Sequence, residues 1–445
     1  MRNPFSRTVR ERDGFPAFPG AFPLLGHLPM IYEGFGEMYP ELRKLGPVVW
    51  LEAGFGVSLL LCSGVEALEI LKNKAFTSTH LQEMAPLVAG QSVLAQDGGP
   101  AHRHMRGALN GPFLPRGLSA SAMGRMSAGL LSELVAGWVE RGRAKVLPEV
   151  QRTALEIIFR MLGAPVDDLE AWRRKYRDLL LANLGIRLRF PGSPAVRSEK
   201  AQVWIDAEFR KLVAEVRGAR ETDTLHGKLV HAKDEDGQPL TEPELLDNLR
   251  LLVLGGHETI SSTMAWMALR LASHPSIWDE LVAEASKGER VPETPEEARA
   301  FPYAEALFRE TVRSHPAFGT ITRKLVAPFE LYGKPLPVGA LVAVHLWGIS
   351  HDESVFPEPF EFRPARWLGR SGPPSAIEVS QFGAGPHFCL GYHLAWLEGV
   401  QIAVALARAA GARGVRPRLR DPRAMRPIYL PTEHPSPGAM IHFEP

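Results

Sequence analysis

Apolar and polar positions follow different rhythms in different parts of the chain. From about residue 101 to 315, apolar side chains recur every three or four positions among alanine, leucine, arginine and glutamate, which predicts a body built of α-helices. Two β-type runs, Val48 to Leu51 and Val57 to Leu61, flank the glycine-containing Glu52 to Gly56 and predict a hairpin. After residue 320 the strand rhythm returns: PFELYGKPLPVGALVAVHL sets β runs around glycine and proline turns, and a β-like tail closes the chain. Ahead of the hairpin, PAFPGAFPLLGHLP is dense in proline and glycine and predicts an irregular segment.

The helix with the clearest boundaries starts at Thr241, where TEPE combines an N-cap threonine, a capping Glu244 and an early proline. It runs to about Ser273, before His274-Pro275; at 1.5 Å per residue that is roughly 50 Å, enough to cross a domain. Gly255-Gly256 interrupts its apolar middle, LLVLGGHETISSTMAW, at about 1 kcal/mol per glycine relative to alanine, which suggests that space is needed there. Glu258 and Thr259 set a carboxyl and a hydroxyl beside the gap. They read either as a proton relay to a bound oxygen species or as a helix bend with the threonine bonded to its own backbone. A last helix is expected to begin near Leu390.

Length changes this picture little. The 445 residues contain no Ser/Gly-rich linker, charge run or repeat, so one large unit with a smaller subdomain is expected. A hydrophobic share of 45% and a charged share of 23% suit an ordinary globular core. Lysine plus arginine (51) nearly cancels aspartate plus glutamate (50), which argues against a nucleic-acid partner. Cys62 and Cys389, the only cysteines, provide neither a disulfide framework nor a CxxC zinc site, and fit a reducing cytoplasm. The N-terminus MRNPFSRTVRERDGF has no apolar stretch of signal-peptide or membrane-span length, so no membrane anchor is expected.

Candidate chemistry lies in three places. In FGAGPHFCLG, residues 382 to 391, glycines on both sides of Cys389 would let the backbone approach a planar object while keeping bulk from the sulfur; alternatively the cysteine is a buried small hydrophobe. In YAEALFRETVRS, Glu310 and Arg313 share a helix face; the pair is either solvated or, because Tyr303 and Leu307 continue the stripe, buried with Arg366 of FRPARW as a second cation. The third is the Glu258-Thr259 pair. No GxGxxG follows a strand, which disfavours a flavin or nicotinamide dehydrogenase.

Together these residues resemble the cytochrome P450 superfamily over nearly the whole chain. FGAGPHFCLG matches the FxxGxHxCxG haem-binding signature, Glu310 and Arg313 match ExxR, and GGHET matches the oxygen-activation segment. The resemblance implies a mainly α fold with a small β-rich subdomain, forming one domain over residues 1–445, with its β-rich parts at about 48–62, 320–350 and the tail. It implies haem b held between the long helix and the cysteine loop, with Cys389 as the axial thiolate that favours O–O cleavage. Phe382, Gly385 and Gly391 would belong to that loop, and Glu310, Arg313 and Arg366 to the structural scaffold; Ala365 stands where many relatives have glutamate. Glu258 and Thr259 become the acid-alcohol pair, with His257 a spectator. His102, Arg106, Arg323 and His387 become partners of the haem propionates through charge-assisted hydrogen bonds.

A substrate pocket is then expected from three stretches: residues 76 to 94 (Phe76, Leu81, Met84, Leu87, Val88, Leu94), the turn before the glycine gap (Leu251, Leu252, Leu254, Gly255), and Ala317 to Ile321 with Phe318. RLRFPGSPAVRSEKAQ resembles the entry segment of retinoic acid hydroxylases and plant terpenoid or steroid oxidases; its Arg187 and Arg189 are either solvated or an attraction for a carboxylate. The implied activity is O2-dependent hydroxylation or epoxidation of a sizeable lipophilic small molecule, with electrons from a ferredoxin or flavodoxin and its reductase. A polyketide or fatty-acid substrate is the alternative, and a non-catalytic haem protein the alternative of another class.

Overall fold

The computed structural model describes residues 9–181, 189–218, 225–233, 237–370, 372–429 and 432–445. Arg187 lies outside the described residues.

The long helix is Glu242–Ser273, opened by a full capping box in which Thr241 and Glu244 satisfy each other's backbone amides. It packs along helix Val146–Leu162 and touches helices Pro302–Ser314 and Tyr392–Gly411. Tyr392–Gly411 is apolar almost all round, as its LAWLEGVQIAVALARAAG sequence requires of a helix enclosed on every side. Long and apolar enough to cross a bilayer, it is mostly buried inside the protein. It lies against Met123–Arg141 on one side and Pro302–Ser314 on another. The second contact depends on Gly399, where an added Cβ would come within 2.3 Å of the Phe308 ring. The helix that follows the cysteine is thereby fixed to the helix that carries Glu310 and Arg313.

The predicted hairpin forms as Val48–Glu52 and Ser58–Cys62, antiparallel. It joins Ile321–Leu325 and Leu341–Val344 in a seven-stranded sheet; Leu341–Val344 runs parallel to Ser58–Cys62, with Val342 beside Leu60. The two β-rich parts of the sequence are thus one sheet with its own core, centred on Leu60, Cys62, Leu325 and Val342. The tail supplies Arg416–Leu419 and Met440–Glu444, which pair with each other.

Several expectations need correction. The proline-rich N-terminal stretch is not wholly irregular, since Phe15–Ala17 adds to the sheet beside Trp50 and Leu28–Tyr32 forms a helical turn. The last helix begins at Tyr392 with Gly391 as its N-cap, near Leu390 as expected. The second β-rich part ends at Val344, and Leu346–Ser350 is helical. Inside the helical body, Arg143–Lys145 is a strand that completes the tail's sheet against Met440–Glu444.

Candidate haem site

The cysteine loop is held in shape by its own backbone. Short 3₁₀ turns at Ser380–Phe382 and Gly385–His387 bracket it, and the Cys389 N–H donates to the Phe382 carbonyl at 2.8 Å. Gly383 (φ 78°) and Gly385 (φ 61°) occupy the left-handed region, and a Cβ on Gly383 would lie 3.1 Å from the His387 carbonyl. Gly391 has open space where a side chain would stand. Burial pushes the Cys389 thiol up, while the Gly391 N–H and the Arg106 guanidinium pull it back toward the thiolate. Cys62 is different: it is 0% exposed, and burial alone pushes its thiol up.

Around the loop, His102, Arg106, Arg323 and His387 come together as expected. The rings of His102 and His387 meet edge to face at 5.0 Å. Burial lowers His387 to about 3, and Arg323, His102 and Arg106 add to the effect, which places all three around its ring. Arg106 donates to the Phe388 carbonyl at 2.6 Å, which also braces the cysteine loop. Arg323 is 5% exposed and donates to the Thr322 carbonyl; burial lowers it to about 10, against the opposing charge of Asp97. Asp97 itself accepts from the Thr77 hydroxyl and the Ser78 N–H. Among the described residues, neither Arg106 nor Arg323 has a carboxylate at ion-pair distance, and His102 Nε2 is buried without a partner. Buried cations need anions. A planar cofactor with two propionates fits that need, and the half-buried Cys389 fits its metal. Cys389 would therefore hold the iron, while His102, Arg106, Arg323 and His387 would hold the carboxylates.

Glu310 and Arg313 are a buried pair, at 0% and 1% exposure, not a solvated one. Arg313 Nε and Nη2 donate to the two Glu310 oxygens at 2.9 and 2.8 Å. The carboxylate also accepts from Arg366 Nε at 3.1 Å, Trp367 Nε1 at 2.9 Å and the Arg363 N–H at 2.8 Å. Arg313 donates further to the carbonyls of Ser350 and Pro359. Ala365 contributes no side-chain bond to this network, and the arginine that follows it suffices. Trp367 was not foreseen, although its place beside Arg366 in FRPARW was visible.

In the long helix, Gly256 closes against Ile158, where a Cβ would approach to 3.1 Å, whereas Gly255 faces open space. The Thr259 hydroxyl donates to the Gly255 carbonyl at 2.8 Å, the back-bonded arrangement of the blander reading. That bond and a relay role are compatible, because the hydroxyl oxygen still accepts. Glu258 Oε1 lies 3.1 Å from His257 Nε2, so His257 is engaged rather than a spectator.

Of the expected pocket residues, Leu87, Val88, Leu251, Leu252 and Leu254 are half-buried against the main core. Leu81 and Leu94 are half-buried too. Ile321 reaches the cysteine loop near Gly383. Met84 and Phe318, 48% and 47% exposed, remain available to a ligand. Phe76 is not a pocket residue: it pairs in the sheet and packs edge-on against Phe329. Arg189 is not free for a carboxylate ligand either, since it grips Glu199 at 2.5 and 2.8 Å on the surface.

One network escaped the sequence reading. Buried Arg250 bonds both Asp247 and Asp206, the latter on helix Pro194–Arg217. Asp247 also accepts the Gln91 N–H at 2.6 Å, and neighbouring Asn248 accepts the Val93 N–H at 3.0 Å. The 85–95 stretch is therefore pinned to the long helix. Gly90 (φ 47°) permits this approach, because a Cβ there would fall 2.1 Å from Asp247 Oδ2.

Comparison with known proteins agrees with this geometry. The family model described as Cytochrome P450 matches residues 16–407. The chain is 39% identical to "Cytochrome P450 BJ-4 homolog" of Sinorhizobium fredii, over 100% of this chain and 99% of that protein. It is 27% identical to "Cyclooctat-9-en-7-ol 5-monooxygenase" of Streptomyces melanosporofaciens, covering 87% of each. The solved structure titled "Retinoic acid bound cyanobacterial CYP120A1" superposes with a TM-score of 0.83 at 23% identity, covering 95% of this chain and 97% of that one. The chain belongs to the cytochrome P450 family of haem-dependent monooxygenases.

Proposed function

We propose that this monooxygenase oxygenates a sizeable, largely apolar molecule of isoprenoid type, with Cys389 as the iron ligand and Glu258-Thr259 as the proton route. When bound, the haem supplies oxygen activation, which consumes two electrons and two protons for each atom inserted. The protein's own residues divide the remaining work. His102, Arg106, Arg323 and His387 anchor the carboxylates; the Gly391 N–H and Arg106 favour a thiolate at Cys389. The Thr259 hydroxyl, tethered to Gly255, presents its oxygen beside the open face of the helix. Leu87, Val88, Leu251, Leu252, Leu254 and Ile321 keep water away, and burying apolar ligand surface on them contributes roughly 25 cal/mol per Å². Electrons would come from a separate ferredoxin or flavodoxin with its reductase.

The observation that carries the reading is a half-buried cysteine beside arginines with no carboxylate at ion-pair distance among the described residues. For the substrate class, the support is the apolar lining together with a relative named for cyclooctat-9-en-7-ol and a similar solved structure with retinoic acid bound. Titrating the purified protein with all-trans-retinoic acid, its methyl ester, a cyclic diterpene alcohol and myristic acid, and following the Soret band, tests this. The isoprenoids should shift the band at lower concentration than myristic acid, and acid and ester should bind alike because Arg189 is already occupied. Preferential binding of myristic acid, or of small polar ligands alone, would refute the isoprenoid assignment.

A further inference from the structure

His257 is buried (3% exposed) and both of its ring nitrogens are committed. Nδ1 lies 2.7 Å from the Val253 carbonyl, which can only accept, so Nδ1 carries a proton. Nε2 lies 3.1 Å from Glu258 Oε1. Ring and carboxyl therefore face each other with one proton between them. Tyr176, on helix Leu169–Leu180, packs edge-on against the ring at 5.8 Å and restricts its swing. Arg173 of the same helix and His434 of the C-terminal strand also act on Glu258. Burial by itself would raise the Glu258 carboxyl; the hydrogen bond and charge of His257, with His434 and Arg173, outweigh it and hold the carboxyl below its ordinary value.

We infer that His257 is a positioning residue that shares one proton with Glu258, aiming the carboxyl and reloading it after each transfer toward Thr259. This rests on the reading of Glu258-Thr259 as the proton route. The step balances simply. The shared proton moves from Nε2 to Oε1 and on toward Thr259, leaving an ionised carboxyl and a neutral ring with its Nδ1–H still on Val253. Solvent then returns one proton to the pair. No electron is transferred in this exchange.

Two measurements test it on the intact haem protein. With [15N]histidine labelling of the reduced, CO-bound form, and His257→Gln to identify the resonance, the parent ring should carry a proton on Nδ1 and a hydrogen bond between Nε2 and the carboxyl, and Glu258→Gln should move the Nε2 resonance because its partner is changed. An Nε2 resonance unmoved by Glu258→Gln would overturn the inference. The second measurement uses a surrogate ferredoxin and reductase without added substrate, and records the fraction of consumed O2 released as peroxide rather than water. That fraction should rise several-fold in His257→Gln and in Glu258→Gln, and the double variant should go no further than Glu258→Gln alone. A rise in Glu258→Gln without one in His257→Gln overturns the positioning role. No rise in Glu258→Gln removes the proton-route reading itself, and this inference with it.

Discussion

The side of the molecule beneath the cysteine and the side that roofs the pocket hold their charges in different ways. Beneath the cysteine, Glu310 receives five donated hydrogen bonds, from Arg313, Arg366, Trp367 and the Arg363 backbone, and Arg313 spends its remaining donors on carbonyls and the Ser314 hydroxyl. Such a network is fully paired, and it is anchored through Phe308 and Gly399 to the helix that follows Cys389. In the roof, Arg250 bridges Asp206 and Asp247 but leaves its Nε without a partner among the described residues. It joins two helices and a loop that adopts little regular structure. A closed network suits a scaffold that must stay fixed; an incomplete one suits a wall that can move.

Breaking the closed network should have the largest effect. Glu310→Ala or Arg313→Ala leaves an uncompensated buried charge, and such losses typically cost about 3 to 5 kcal/mol. Haem content and thermal melting should both collapse; parental values in both variants would make the pair dispensable. In the roof, Asp247→Ala should cost less, about 1 to 3 kcal/mol, since Arg250 keeps Asp206 while the Gln91 N–H loses its acceptor. Limited proteolysis should then open the 85–95 stretch with the CO spectrum unaltered. Equal losses of haem in the two regions would erase the contrast.

A third test sharpens the comparison within the scaffold itself. Glu398, on the cysteine helix, is 3% exposed, and burial, with no cation paired to it among the described residues, raises its carboxyl to about 8. A folded-state value above the unfolded one means that the protonated form is favoured in the fold. Stability is therefore fully present below about pH 4.5 and is lost as pH rises toward about 8. Glu398→Gln should melt above the parent at pH 8 and approach it near pH 5; a difference independent of pH would refute the assignment. Smallest of all, Gly255→Ala should be neutral or stabilising by up to about 1 kcal/mol, because no described protein atom lies within 4 Å of the added methyl. Gly256→Ala should gain less, since its Cβ presses on Ile158 at 3.1 Å. Ligand titration should report the Gly255 methyl and ignore the Gly256 one.

What could be read from the sequence was what local rules encode. The Thr241 cap, the run to Ser273 and the hairpin around Glu52 to Gly56 are local, and they formed as expected. The cysteine loop and the Glu310-Arg313 pair were readable because their spacing is itself the signal. The strand Arg143–Lys145 was not, because three charged or small residues in a helical stretch become a strand only beside Met440–Glu444 from the far end of the chain. Asp247 and Arg250 looked like polar positions on a long helix. Their partners, a backbone amide at Gln91 and a carboxylate at Asp206, leave no mark in local sequence. His257 was passed over for a similar reason: GGHET drew attention to the acid and the alcohol, and only the geometry shows the ring 3.1 Å from the acid.

The central claim is that Cys389, and not Cys62, presents the thiolate to the haem iron. The dithionite-reduced, CO-bound spectrum of the parent, of Cys62→Ala and of Cys389→Ala tests it directly. The parent and Cys62→Ala should show the red-shifted Soret band of a thiolate-ligated haem, because Cys62 is sealed in the sheet core at 0% exposure. Cys389→Ala should lack that band altogether, and its persistence there would contradict the account.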